Sequence, residues 1–146
     1  MERIGFYLSG AHPVERVLPL IARAAKAQRQ RMLVVAEDED LLSRLDQTLW
    51  EQFPEDFLAH GRADAPHAAR QPLLLSGECT ASNDAAIVAL ADGVWRPEAE
   101  SFERVLLFFD ESGIAAARQC WRLFDRREDV IREFHELEAG RWVHKA

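Results

Sequence analysis

Several groups of residues in this sequence are of types that do chemistry, and their spacing decides what they can do. Val105-Leu106-Leu107-Phe108-Phe109 followed by Asp110-Glu111 has the form of a strand that holds a catalytic metal in phosphate-handling enzymes. That metal works on phosphates cradled by a G-x-x-x-x-G-K-[ST] loop, and no such loop occurs in the chain. Asp110 and Glu111 are therefore expected at the entry to a helix, where carboxylates meet the positive end of the dipole. The turn Ser9-Gly10-Ala11-His12-Pro13 has one glycine where a dinucleotide turn needs three. One carboxylate of Glu37-Asp38-Glu39-Asp40 is placed to hold a ribose, but four together repel phosphate and suit a solvated helix start. His12, His60, His67, His135 and His144 form no H-x-x-x-H or H-E-x-x-H pattern, so no zinc site is expected. Neither Ser9 nor Ser76 sits in a G-x-S-x-G elbow. Cys79 and Cys120 are isolated, with no C-x-x-C pair. Each reads as a buried structural thiol before it reads as a nucleophile. No catalytic residue, metal or cofactor is expected on these grounds.

The elements that would position these groups are legible from apolar runs. Ile4–Leu8, Met32–Ala36, Leu73–Leu75, Ile87–Ala91 and Val105–Phe109 are short and apolar without polar alternation, which marks strands covered on both faces and hence a parallel sheet. Pro13–Ala27 carries Val14, Val17, Leu18, Ile21 and Ala25 at helical spacing, with Pro19 either starting the helix or kinking it. Asp38–Glu51 carries Leu41, Leu42, Leu45 and Leu49, also helical. Residues 54–72, with Pro54, Gly61, Pro66 and Pro72, read as a connection. Ser112 is placed to cap a helix running to about Arg127, and Val130–Leu137, Ala139-Gly140 and Arg141–His144 read as strand, turn and terminal strand. Alternating strands and helices predict a single α/β, Rossmann-like domain over residues 1–146, mainly parallel, with helices on both faces and no nucleotide-binding loop.

A chain of 146 residues is one domain by length, and 48% apolar content excludes disorder. No apolar run approaches the ~18–20 residues that span a membrane, and Met1-Glu2-Arg3 is followed by no long apolar stretch, so neither a membrane anchor nor a secretory signal is expected. Two isolated cysteines fit a reducing cytoplasm. The net charge of −7 disfavours direct, nonspecific binding to nucleic acid. The charge is uneven. Residues 1–31 are basic, 37–57 strongly acidic, and 118–132 basic again through Arg118, Arg122, Arg126, Arg127 and Arg132. A basic patch on an acidic protein suits an acidic peptide better than a duplex.

The chain has four tryptophans, Trp50, Trp95, Trp121 and Trp142, and large aromatics beside arginines are typical interface anchors. Arg118, Trp121 and Arg122 stand at i, i+3 and i+4, so they share one side of a helix. The core stripe of that helix would be Ile114, Ala117, Trp121 and Phe124. Spacing puts Trp121 at the stripe's edge and favours packing over recognition. Trp50 and Phe57 flank the end of the acidic helix and its exit loop.

Five segments then resemble one family in its order along nearly the whole chain: Ile4-Gly5-Phe6-Tyr7-Leu8; Leu45-Asp46-x-x-Leu49-Trp50 with Phe57 and His60; Gln71-Pro72-Leu73-Leu74-Leu75; Phe102-Glu103-Arg104-Val105; and Ala117-Arg118-x-x-Trp121-Arg122-x-Phe124. This pattern is similar to the chi subunit of bacterial DNA polymerase III, with the Leu-Asp-x-x-Leu-Trp block the most specific part. The resemblance implies a non-catalytic replication subunit. It would link the clamp-loader complex to single-stranded DNA-binding protein, whose acidic tail ends in Ile-Pro-Phe, with DNA contact mainly through that protein. It implies tail binding by Arg118, Trp121 and Arg122, and a surface for the psi subunit at Trp50 and Phe57. Ala59 stands where the family often has Pro before the histidine, and Trp121 where some members have Tyr. The competing reading is a nucleotide-dependent Rossmann or helicase-like enzyme using Glu37 or Asp110.

Overall fold

Successive residues of the apolar runs point to opposite faces of one sheet, and both faces are covered. In the computed structural model, which describes residues 1–146, eight strands form a single sheet: β1 (Arg3–Leu8), β2 (Met32–Val35), β3 (His60–Arg62), β4 (Leu73–Ser76), β5 (Ile87–Leu90), β6 (Arg104–Phe109), β7 (Ile131–Glu138) and β8 (Arg141–His144). Their order is β3-β4-β2-β5-β6-β1-β7-β8. Every pairing is parallel except β7 with β8, which are antiparallel. The α/β, mainly parallel Rossmann-like architecture expected from the sequence is the one observed.

Three helices cover the sheet: α1 (Val14–Ala27), α2 (Glu39–Glu51) and α3 (Ile114–Arg122). Tyr7, Met32, Val34, Leu75, Ala89, Leu106 and Phe108 pack under Val17, Leu18 and Ala22 of α1 and Leu42, Leu45 and Leu49 of α2. Their strand neighbours Ile4, Phe6, Leu33, Val35, Leu74, Val88 and Leu107 face the other way, toward Ala117 and Cys120 of α3 and the following Phe124. The period-2 alternation of strand side chains thus builds two cores from one set of continuous apolar runs.

Local signals act as physical chemistry requires. Asp38 caps α2 by accepting from the Asp40 amide at 3.0 Å, with Glu39 and Asp40 in the first turn. α1 runs through Pro19 rather than starting there. The ring is buried, and its missing N–H leaves the Glu15 carbonyl without its usual donor.

Two expectations need correction. Residues 54–72 are not only a connection, because His60–Arg62 pairs in parallel with β4 as the sheet's edge. Three residues without a β-branched side chain carry no periodic signal, and only the neighbouring strand makes them a strand. The helix expected from Ser112 to Arg127 is shorter. Ser112 does not cap it; Asp110 caps the tight turn Glu111–Gly113 that leads into α3, accepting from the Ser112 amide at 3.0 Å and hydroxyl at 2.6 Å. Beyond Arg122 the chain tightens into bonds from each amide to the carbonyl three residues back, as from Phe124 to Trp121 at 3.3 Å. That tightening turns Phe124 into the core and leaves Leu123 exposed.

Candidate functional site

α3, β1 and β7 leave a gap between them that side chains do not fill. Phe6 and Leu8 from β1, Phe109 from β6, Ile114, Ala117 and Trp121 from α3 and Phe134 from β7 line an open cavity of about 390 Å³. That volume is within the range of ligand pockets, about 300–1,000 Å³. The one charged side chain in the lining is Arg118, and Ala146 completes the wall beside Phe134. The Trp121 ring is half-buried, 5.1 Å from the Phe6 ring, so it serves as core wall and cavity wall together.

The arginines of the 118–132 segment divide into two sets. Arg132 lies over the Trp121 ring at 4.8 Å and donates to the Trp121 carbonyl and to Asp125, both at 2.7 Å. Arg127 is clamped between Glu100 at 2.8 Å and Asp129 at 2.9 Å. Arg118, Arg122 and Arg126 are exposed and make no ion pair. Arg118 and Trp121 are therefore brought together on the cavity, whereas Arg122 lies outside its lining. Sequence reasoning missed Phe6, Phe109 and Phe134 as cavity walls. They come from three strands, and only the sheet order juxtaposes them. Arg132 was visible only as part of a charge count.

A second feature lies at the far side of the sheet. Trp50 is 54% exposed and Phe57 76% exposed. Their surroundings explain the Leu45-Asp46-x-x-Leu49-Trp50 block. Leu45 and Leu49 are buried, while Asp46 on the next face receives the fully buried His60 ring, Nε2 to Oδ1, at 2.8 Å. His60 Nδ1 faces the Leu58 carbonyl at 2.6 Å, and Trp50 lies against the imidazole at 4.4 Å between centroids. Helix and edge strand are thus locked through one histidine. Phe57 has φ 46°, a left-handed conformation costly for a bulky residue. Lys26 holds the turn by donating to the carbonyl oxygens of Asp56 and Phe57, and Arg23 pairs with Asp56 at 3.1 Å. Arg23 of the basic N-terminal helix is in this way paired with the acidic segment that follows α2.

The crevice at the carboxyl ends of the strands, where Rossmann-like folds bind nucleotides, has a different character. It is lined by Glu15, Asp38, Asp92 and Asp110, with Arg44 paired to Glu15 at 3.0 Å. Asp92 is desolvated, which opposes its ionisation. Two bonds from Arg96 at 2.9 Å and the Glu37 and Val94 amides outweigh this and hold the carboxyl below its usual range. Asp110 is committed to its cap. The carboxylates of this crevice are engaged in caps and ion pairs.

The family model described as DNA polymerase III chi subunit, HolC, matches residues 1–131. No curated protein matches the chain.

Proposed function

The chain belongs to the DNA polymerase III chi subunit family, replication accessory proteins, and we propose that it acts as a non-catalytic adaptor that holds an acidic peptide tail ending in phenylalanine. The tail is that of single-stranded DNA-binding protein. The observation that carries this reading is the apolar cavity beside Trp121 with Arg118 as its single, unpaired cation. A terminal Phe ring enters the cavity, against Trp121, Phe6 and Phe134. Its carboxylate, ionised at neutral pH, meets Arg118, whose guanidinium offers forked, charge-assisted bonds. Acidic residues earlier in the tail meet Arg122 and Arg126, which stand exposed outside the lining. The pocket supplies the specificity and the arginines supply steering, so affinity falls with salt.

The same reading gives Trp50 and Phe57 to the other partner, the psi subunit of the clamp-loader complex. Two large exposed aromatics, one held in a costly backbone conformation by Lys26, fit a hydrophobic hot spot for a protein. The two surfaces use different elements, α3 with β7 and α2 with its exit loop. One chain can then bind both partners at once and link clamp loader to coated single strand.

Calorimetric titration with an acidic peptide ending in Ile-Pro-Phe tests the reading. Saturable one-to-one binding is expected, lost when the peptide's terminal carboxylate is amidated. Equal affinity for the amidated peptide would overturn it.

A further inference from the structure

The hairpin β7–β8 lies largely beyond residue 131, where the family match ends, and it carries a cluster that the proposed function does not use. Glu133 and His135 are two apart on β7, so they share a face of the sheet. β8 pairs antiparallel to β7 with His144 directly opposite His135. The ligand atoms that Glu133, His135 and His144 offer all lie within 4.8 Å of one another. The two imidazoles stack at 4.9 Å, and His144 Nε2 is 3.9 Å from Glu133 Oε2.

The second observation is what these groups lack. Seven buried side-chain polar atoms in the protein have no hydrogen-bond partner, and four of them, Arg104 Nε, Glu133 Oε1, His135 Nε2 and Trp142 Nε1, belong to this one sheet face. Unpaired buried polar atoms are rare in folded proteins, and an absent ion or water is one of their standard explanations. Two of the four are a carboxylate oxygen, which has only a 3.4 Å ion pair with Arg3, and the imidazole nitrogen of His135, donors that zinc, copper and nickel take.

We propose that Glu133, His135 and His144 bind one divalent transition-metal ion of the zinc class, with water completing the coordination. The residues present fit that role. Tyr7 stacks flat on His135 at 4.5 Å and 11°, fixing the ring. This is possible because Gly5, opposite Glu133, has no Cβ, and one there would stand 2.6 Å from the Tyr7 ring. One cation on this face is directed elsewhere and the other meets the proposed ligand Glu133. Arg104 donates to the Tyr7 hydroxyl at 3.1 Å, and Arg3 stands 3.4 Å from Glu133 as an ion pair that a metal would replace. Metal–ligand distances of about 2.0–2.2 Å place tetrahedral donors roughly 3.3–3.6 Å apart. The exposed His144 must therefore move inward by about 1 Å. Its Nε2 would exchange the main-chain oxygen of Ala146, its present partner at 2.5 Å, for the metal. No H-x-x-x-H spacing announces such a site, since the histidines meet only through strand register.

The test uses the full chain freed of metal with a chelator. Calorimetric titration with zinc chloride should show one site per chain. His144→Gln, an exposed substitution that leaves the fold intact, should weaken binding at least tenfold, as should His135→Gln. Cobalt(II) in place of zinc should give visible ligand-field bands without a thiolate charge-transfer band. Absence of saturable binding, unchanged affinity in His144→Gln, or a thiolate band assigning the metal to Cys79 or Cys120 would each overturn the proposal. Peptide binding at the Trp121 cavity, measured on His135→Gln, should be unchanged.

Discussion

The guanidinium of Arg132 lies 4.8 Å over the indole of Trp121 and donates at 2.7 Å to the carbonyl oxygen of that same residue. A residue on β7 thereby fixes both the ring and the backbone where α3 ends. The carbonyl lies in the last turn, where it also accepts from the Phe124 amide at 3.3 Å, and the cation meets the negative end of the dipole. The cavity wall is held in place before any ligand arrives.

Arg132→Met should therefore cost about 1–3 kcal/mol of stability, combining a charged hydrogen bond with a cation–π contact. Denaturant unfolding measures the loss. The substitution should also weaken the tail peptide, although Arg132 is already paired with Asp125. A variant as stable and as tightly bound as the wild type would show that Trp121 positions itself.

Arg118 and Arg122 should differ. Arg118 lines the cavity and Arg122 does not. Arg118→Ala should lose a charge-assisted bond of about 1.5–3 kcal/mol, roughly ten- to a hundred-fold in affinity. Arg122→Ala should lose only steering, with a smaller effect that vanishes at high salt. Both should keep stability within about 0.5 kcal/mol. A salt series of peptide titrations distinguishes them.

Trp50→Ala and Phe57→Ala should leave the tail peptide unaffected and abolish or strongly weaken capture of the psi subunit. Truncating an interface hot spot costs about 2 kcal/mol or more. Phe57→Gly should be slightly more stable than Phe57→Ala, since glycine adopts φ 46° without strain. Pull-down of the clamp-loader partner and thermal melting give the two readouts.

The Asp92–Arg96 pair predicts a pH effect. Hydrogen bonds from Arg96 and two amides hold the Asp92 carboxyl low against the cost of its burial. A carboxyl depressed on folding contributes stability above its unfolded value, about 3.9, and loses it as pH falls through the folded value. Wild type should weaken below about pH 4 by this route. Asp92→Asn should be less stable at pH 7 and lose less between pH 5 and pH 3, read by urea unfolding across that range.

Cys120 should be inert. Burial against the sheet pushes its thiol up to about 11, so little thiolate exists at pH 8. Cys79 is buried and raised as well. Ellman's reagent should find no fast-reacting thiol in the native protein and two after unfolding.

Much of the fold was written locally in the chain. The apolar runs at Ile4–Leu8, Met32–Ala36 and Val105–Phe109 determined buried parallel strands, because only a strand covered on both faces tolerates such continuity. The leucines of α2 and its acidic first turn determined a helix and its start. Helical spacing put Arg118 and Trp121 on one side of α3. The ordered segments, with the Leu45-Asp46-x-x-Leu49-Trp50 block among them, were enough to show the family. What the sequence could not determine depended on long-range pairing. The edge strand His60–Arg62 exists through β4, and α3 stops at Arg122 where Arg132 meets the Trp121 carbonyl. The cavity joins Phe6, Phe109, Trp121 and Phe134, whose separation along the chain leaves no periodic trace. His135 and His144 meet only because β7 and β8 pair in a particular register, and a register is a property of two strands together, absent from either one alone.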